Sequence, residues 1–336
     1  VKIAFMGSDP IALPALRMIR REQTGGCELA MVFTQPDRRH GRGMKLQPNA
    51  VKEWSLDEGV PVLQPDRCGE LEGEKMKAAG IRSVLVMAYG QLLRKSLLSA
   101  VPDGFYNLHA SDLPRLRGAS PIETAVAAGL RETAVSFMRI VPAMDAGPVA
   151  DREFVALGED ETAQSLRGKL AQACPPLLRR CLPALGEGRL RFEEQDERAA
   201  TYCRMIGRED AHLDFCASSS TLSRRIRALQ PWPGTSFPCE GIELRVRAAT
   251  SLPENPDPAR PGTILAAEGN DLRIACGRGQ LRIEQLQRPG GKPLPVADFL
   301  RGFPLAPGIL LPSREMPPLE AAEPFGGKKG KRRTDG

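Results

Sequence analysis

Histidine is scarce in this chain, with His40, His109 and His212 its only three. His109 follows Asn107 by two positions in "YNLHASDLPRLRG", just ahead of a basic, proline-containing loop. Residues two apart on an extended strand point to the same side. A carboxamide that donates hydrogen bonds therefore stands beside an imidazole that titrates near neutrality. Such a pair can hold a carbonyl oxygen as it gains negative charge and shuttle a proton next to it. Asp145, in "PAMDAGP", follows the next strand and is placed to reach the same crevice, where a carboxylate would orient the imidazole and favour its protonated form. The same pattern also fits a hydrogen-bonded core histidine and an aspartate that caps the turn at "AGP"; spacing alone does not separate the two. Without a nearby nucleophilic serine or cysteine, the trio suits a transfer in which an amine attacks an activated acyl carbon directly.

These residues need a frame, and the first half of the chain supplies one. "VKIAFMG", "CELAMVFT", "RSVLVMA", "GFYNLHAS" and "TAVSFMRIV" read as short apolar strands, with helices "PIALPALRMIRRE", "NAVKEWSLDEG" and "PIETAVAAG" between them. That alternation predicts an α/β domain, a doubly wound and mostly parallel sheet with helices on both faces. Ligands collect beyond the carboxyl ends of such strands, where His109 and the segment after "SFMRIV" are both expected. A long helix is predicted from Glu161 to about Ala184. Beyond it, "SSSTLSRRIRALQPWPGTSF" holds a basic helix ending at Pro231. "ELRVRAAT", "GTILAAE", "NDLRIACG" and "GQLRIEQLQ" then follow as close-spaced strands, which suggests a small β-barrel. From about Ser313 the chain is rich in Pro and Gly and ends in "GGKKGKRRTDG", read as a disordered basic tail.

Composition narrows the class. At 336 residues the chain can bury a full core and is expected to make two domains. No run reaches the roughly 18 apolar residues of a membrane span, and "VKIAFMG" is too short for a signal peptide, so the expected compartment is the cytoplasm. The eight cysteines are scattered, with no C-x-x-C pair and no histidine at ligand spacing. Neither a disulfide framework nor a metal site is expected, and most of them read as small buried hydrophobes. There is no G-x-G-x-x-G after the first strand and no P-loop, which argues against a nicotinamide dinucleotide. The net charge of +6 is modest, but cations cluster at 36–47, 224–227 and 328–333, a distribution that favours a polyanionic partner. "TQPDRRHGRGMKLQP", Thr34 to Pro48, is long for a strand-to-helix connection, where about 2–6 residues is usual. Its Arg38, Arg39, Arg42 and Lys45 could follow a phosphate backbone or simply be solvated. Trp232, in "QPWPG", reads as a packing anchor.

Taken in order, "MGSDPIALPAL", "TQPDRRHGRGMKLQP", "VMAYGQLL", "NLHASDLPRLRGASPI" and "MDAG" resemble the folate-dependent formyltransferases, whose shared pattern is N-x-H-x-S-L-L-P followed by an aspartate-glycine turn. Within that family the order is similar to the branch whose members formylate methionine carried on initiator tRNA. The resemblance extends over about residues 1–311. It implies a catalytic domain over 1–190, a linker over 191–208 and an OB-like tRNA-binding domain over 209–312, with the basic tail over 313–336 outside it. It implies 10-formyltetrahydrofolate as donor, no metal, no membrane partner, a monomer, and Asn107, His109 and Asp145 as the catalytic trio. Asn107 would hold the formyl oxygen, His109 assist proton transfer, and Asp145 orient His109. Folate contacts are implied for Ser111, Asp112, Leu113, Pro114, Tyr89 and Leu92, and tRNA contacts for Arg38, Arg39, Arg42 and Lys45. Asp112 stands where the family has leucine, and Ala134 where it has glycine. Alternatives within reach are formylation of a sugar-nucleotide amine or a purine precursor, against which the basic loop argues, and an inactive RNA-binding module, against which the intact trio argues.

Overall fold

The computed structural model describes residues 1–40, 45–253 and 259–325. The amino-terminal half runs β1 (Lys2–Gly7), α1 (Leu13–Glu22), β2 (Glu28–Phe33), β3 (Arg38–His40), β4 (Lys45–Gln47), α2 (Ala50–Asp57) and β5 (Val62–Leu63). It continues through α3 (Glu70–Ala78), β6 (Ser83–Met87), α4 (Lys95–Leu98), β7 (Gly104–His109), β8 (Arg117–Gly118) and α5 (Pro121–Ala128). Strands β9 (Glu132–Arg139) and β10 (Val149–Ala156) and the long helix α6 (Ala163–Gly186) complete it. Seven strands form one sheet in the order β10-β9-β7-β6-β1-β2-β5. Period-two alternation divides its side chains between two cores: Ile3, Phe5, Tyr106 and Leu108 face α1, α2, α5 and α6, while Ala4, Met6, Val84 and Phe105 face α3 and α4. Helix starts follow their capping residues, with Asn49 Oδ1 accepting from the amides of Val51 and Lys52, and Thr162 and Ser165 closing a capping box on α6.

One feature of the sheet differs from expectation. β9 runs antiparallel to β7, pairing Tyr106 with Arg139 and His109 with Ser136. The chain therefore leaves β9 at the end where β7 begins, and the segment after "SFMRIV" does not start at the carboxyl end of β7. The loop 140–148 returns before entering β10, which pairs antiparallel with β9. β5, β8, β10, α3 and α4 are additions to the expected order. β10 is an edge strand carrying Asp151, Arg152 and Glu153, charges that suit an edge and mask the strand pattern. The segment 34–48, expected as an open loop, contains the two-stranded hairpin β3–β4. Asp37 anchors its base through Lys52 Nζ at 2.7 Å and Gln64 Nε2 at 2.7 Å. Those two hydrogen bonds, Lys52 first, hold the Asp37 carboxyl below the usual range. The turn 41–44, and with it Arg42, lies outside the described residues.

The second half comprises β11 (Tyr202–Cys203), α7 (Ser219–Ala228), β12 (Thr235–Cys239), β13 (Ile242–Leu252), β14 (Ile264–Glu268), β15 (Asp271–Ala275), β16 (Gln280–Gln287), β17 (Leu294–Pro295), α8 (Val296–Gly302) and β18 (Glu320–Ala321). The expected close-spaced strands are there, as one antiparallel sheet ordered β12-β13-β16-β15-β14, with β17 on β16. Among the described residues the two end strands do not pair with each other; His212 bridges β12 through Ser236, and Leu310 bridges Thr263 just ahead of β14. Trp232, expected to pack, is instead 57% exposed.

The expected disordered tail is corrected in its first part. Residues 313–325 run back to the first domain, where β18 pairs with β11 and β11 with β8. Burial of Leu319 and a bond from Thr201 Oγ1 to Glu320 Oε1 at 2.8 Å fix this strap. Residues 326–336 lie outside the described residues. Seven of the eight cysteines are buried and Cys216 is exposed. No helix among the described residues is long and apolar enough to cross a membrane.

Within the second half, Asp210, which is 0% exposed, ties the segment after β11 to α7. Its carboxylate receives Arg204 Nη2 at 2.5 Å, Arg225 Nη2 at 3.0 Å and the Gly207 amide at 2.7 Å. Burial alone would raise this carboxyl, but the Arg204 and Gly207 hydrogen bonds and the Arg204 and Arg225 charges outweigh it and hold it below its ordinary value. Asp210→Asn leaves two mostly buried guanidinium groups without their counter-charge and should cost about 3–5 kcal/mol, read from denaturant midpoints. Because the folded carboxyl is depressed, its contribution is present above about pH 4 and lost as pH falls through the folded-state value. The variant should accordingly lose less stability on acidification than the parent.

Candidate active site

β7 delivers Asn107 and His109 to one side of the sheet, beside Phe105 and opposite Tyr106 and Leu108. Both residues open on a cleft of about 470 Å³. Its walls are the segment Val86–Leu93, the start of α5 with Ile122 and Glu123, and the loop from Ile140 to Asp145. The volume falls in the range of small-molecule sites, and Leu92 and Met144 leave apolar side chains exposed in its lining.

His109 is 6% exposed. Its Nε2 lies 3.0 Å from the Leu116 carbonyl oxygen. A carbonyl can only accept, so Nε2 carries a hydrogen and the neutral ring keeps its lone pair on Nδ1. Nδ1 faces Asp145 Oδ2 at 3.9 Å, too far for a direct hydrogen bond. The carboxylate and the ring nitrogen face each other across that gap. Among the described residues nothing hydrogen-bonds the Asn107 carboxamide, which is half-buried and lines the cleft. Its N–H donors remain for an incoming oxygen.

Asp145 reaches this place because the loop 140–148 is held at several points. The Ile140 amide donates to Phe105 O at 2.8 Å and the Arg139 amide to Pro148 O at 3.0 Å. Asp145 itself has φ 49°, a left-handed conformation unusual for a residue with a side chain. Its Oδ2 accepts the Gly118 amide at 2.9 Å. Gly118 pairs with Cys203 in the β8–β11 ladder. The one thiol here is no nucleophile at neutral pH, since burial pushes Cys203 up to about 12.

Of the sequence-predicted site residues, the structure brings Asn107, His109, Asp145, Tyr89 and Leu92 to the cleft. Ser111, Asp112, Leu113 and Pro114, expected as folate contacts, lie beside the lining residue Ala110 and do not themselves line the cleft. Three of their side chains are engaged within the loop or against β9 and β10. Ser111 Oγ donates to Arg115 O at 2.6 Å, Leu113 packs on Met138 and Val149, and Asp112 pairs with Arg152 Nε at 3.1 Å. The acidic residue that departs from the family pattern thus has a partner on β10. Arg38, Arg39 and Lys45 are exposed on the hairpin, with Arg38 bonded to Gln35 Oε1. Gln195 and Arg117, which hold the Asp145 turn, were not legible as site residues; nothing in an arginine or glutamine code signals burial.

An amide donor, a proton-accepting imidazole and a carboxylate on one cleft, set on a doubly wound domain followed by a β domain, define an acyl-transfer enzyme. The chain belongs to the formyl transferase family: the model of that description matches residues 1–182, and that of the formyl transferase C-terminal domain matches 205–304. It is 41% identical over 307 residues to a methionyl-tRNA formyltransferase of Methylococcus capsulatus, spanning 91% of this chain and 98% of the relative. With a methionyl-tRNA formyltransferase of Burkholderia thailandensis it shares 39% over 332 residues, 96% of this chain and 99% of the relative. In fold it is similar to a sugar 3N-formyl transferase, with TM-score 0.63 at 15% identity over 86% of this chain and 97% of the other.

A Cβ at Gly118 would sit 2.1 Å from Cys203 O, and φ there is 118°. Gly118→Ala must move β8 and with it the amide that holds Asp145. Formyl transfer should fall by ~10-fold or more, with a stability loss of about 1–3 kcal/mol. Unchanged transfer in a destabilised variant would show that the amide does not set the site.

Proposed function

We propose that this protein transfers the formyl group of 10-formyltetrahydrofolate to the α-amine of methionine on initiator tRNA. The observation that carries the reading is the cleft itself, where unpaired Asn107 donors and the acceptor nitrogen of His109 meet beside Asp145. Relatives about 40% identical over more than nine-tenths of the chain are named methionyl-tRNA formyltransferase, which supports the substrate. The backbone from Met87 to Leu93 and the apolar side chains of Ile140 and Met144 would hold the folate, which brings the formyl carbon.

The amine nitrogen attacks that carbon, and the oxygen of the tetrahedral intermediate takes negative charge against the Asn107 carboxamide. His109 Nδ1 accepts the proton the amine must lose, and the imidazolium so formed faces Asp145. Collapse breaks the bond from carbon to N10 of the folate, and the proton passes to that nitrogen. The products are formylmethionyl-tRNA and tetrahydrofolate. The hairpin β3–β4, with Arg39 and Lys45, and the domain over 209–312 would bind the tRNA phosphates, as a monomer in the cytoplasm. A sugar amine, the acceptor class in the name of the similar sugar 3N-formyl transferase, gives the exposed basic hairpin no role.

His109→Ala should lower kcat by ~10²-fold or more while initiator tRNA binding stays within about twofold in a filter assay; an equal loss of binding contradicts a chemical role. Arg39→Ala with Lys45→Ala should instead weaken tRNA binding and make its salt slope shallower by roughly one per lost phosphate contact. A fall in folate affinity with unaltered tRNA affinity would contradict the assignment of the hairpin.

A further inference from the structure

The Asp145 turn is gripped from behind by residues that do not face the cleft. Gln195 Nε2 donates to Asp145 O at 2.8 Å and to Gly147 O at 2.6 Å, so one amide brackets the turn. The other side of the same group, Oε1, accepts Arg117 Nε at 3.0 Å and Nη2 at 2.9 Å. This orientation is over-determined. A guanidinium only donates and carbonyls only accept, so the carboxamide cannot flip without losing both sets of bonds. Arg117 is held in turn by Glu197, whose Oε1 accepts Nη2 at 2.8 Å and Oε2 accepts Nη1 at 2.9 Å, and by the Tyr202 hydroxyl at 3.3 Å. These contacts occupy every N–H of the guanidinium, which explains how it can be 1% exposed. The Glu197 hydrogen bond is the leading reason the Arg117 group is held still more firmly protonated than usual.

The backbone completes the clamp. Arg117 immediately precedes Gly118, whose amide holds the Asp145 carboxylate at 2.9 Å. The Arg117 amide donates to Thr201 O at 2.8 Å, fixing β8 against β11. Arg117 therefore sets Asp145 from two directions: through its chain neighbour at the carboxylate, and through Gln195 at the main chain. A left-handed aspartate held on both sides has one orientation available to it.

We infer that Arg117 and Gln195 are positioning residues, which fix the Asp145 carboxylate opposite His109 Nδ1 through a buried guanidinium–carboxamide relay reaching from the linker to the catalytic turn. This rests on the proposed role of Asp145 at His109. Neither side chain touches substrate in this account; both act through Asp145.

Gln195→Leu, close in volume and unable to donate or accept, tests it together with Asp145→Asn and the double variant. Formyl transfer to initiator methionyl-tRNA should drop ~10- to 100-fold in kcat for Gln195→Leu, with KM for folate donor and tRNA within about twofold. The double variant should be scarcely slower than Asp145→Asn alone, because residues acting through one group are not additive. Multiplying effects would overturn the inference. A second readout needs no substrate: with three histidines in the chain, the His109 ring resonances can be assigned by NMR. They should move in Gln195→Leu in the same direction as in Asp145→Asn. Resonances that shift in Asp145→Asn but stay at parent positions in Gln195→Leu would overturn the relay whether or not the parent is active on tRNA. Full activity of Asp145→Asn would instead contradict the catalytic reading of the turn, a separate failure. Since Gln195→Leu could act by loosening the fold, Arg117→Lys serves as control: it keeps the charge against Glu197 but lacks the fork toward Gln195, and should reproduce the kcat loss.

Discussion

The amide of Gly118 donates to the carboxylate of Asp145 at 2.9 Å, and that contact joins pieces of chain that the fold brings from separate places. Gly118 belongs to a short ladder with Cys203, in the connector after the long helix, and Glu320, in the strap that returns from the second domain, pairs with the same Cys203. Asp145 belongs to a loop that must double back because β9 runs antiparallel to β7. His109 comes from β7 and is tethered at Leu116, one residue before Arg117. Remove the contact and the two polar ends of the cleft lose their common reference. The glycine is required by geometry, since a side chain there would overlap Cys203 O.

Burying charge around this junction is costly, and the molecule tolerates it because partners are complete. Arg117 uses all its donors, and Asp210 collects two guanidinium groups and an amide. Breaking either set would leave a desolvated charge unpaired, which is worse than never having buried it. Such networks give direction as well as cohesion: a guanidinium fork against a carboxamide fixes which end of that amide points at the turn. A cleft that must hold a carboxylate 3.9 Å from an imidazole benefits more from that directional constraint than from apolar packing.

Much of this was legible from residues. Short apolar strands and the helices between them gave the doubly wound domain, since each strand is buried on two faces and reads as an apolar run. Asn107 and His109 were legible because strand geometry puts them on one face. The direction of β9 was not, because a strand carries no mark of the sense in which it pairs, and the path that brings Asp145 to His109 depends on it. The packing of the loop Ser111–Pro114 was not legible either: Ser111 and Leu113 are buried, and Asp112 meets an arginine on a strand whose charges hid it. The strap over 313–325 was lost to its Pro-rich composition, since its pairing partners lie more than a hundred positions earlier.

The central claim is that this cleft passes a formyl group from folate to the methionyl amine of an initiator tRNA. The most direct test incubates the purified protein with 10-formyltetrahydrofolate and either initiator or elongator methionyl-tRNA, and measures formylmethionine on each. Formylation of the initiator species, with the elongator left unmodified, is the predicted result. No formylation of either by protein that still binds the folate would contradict it and point to a small amine as acceptor.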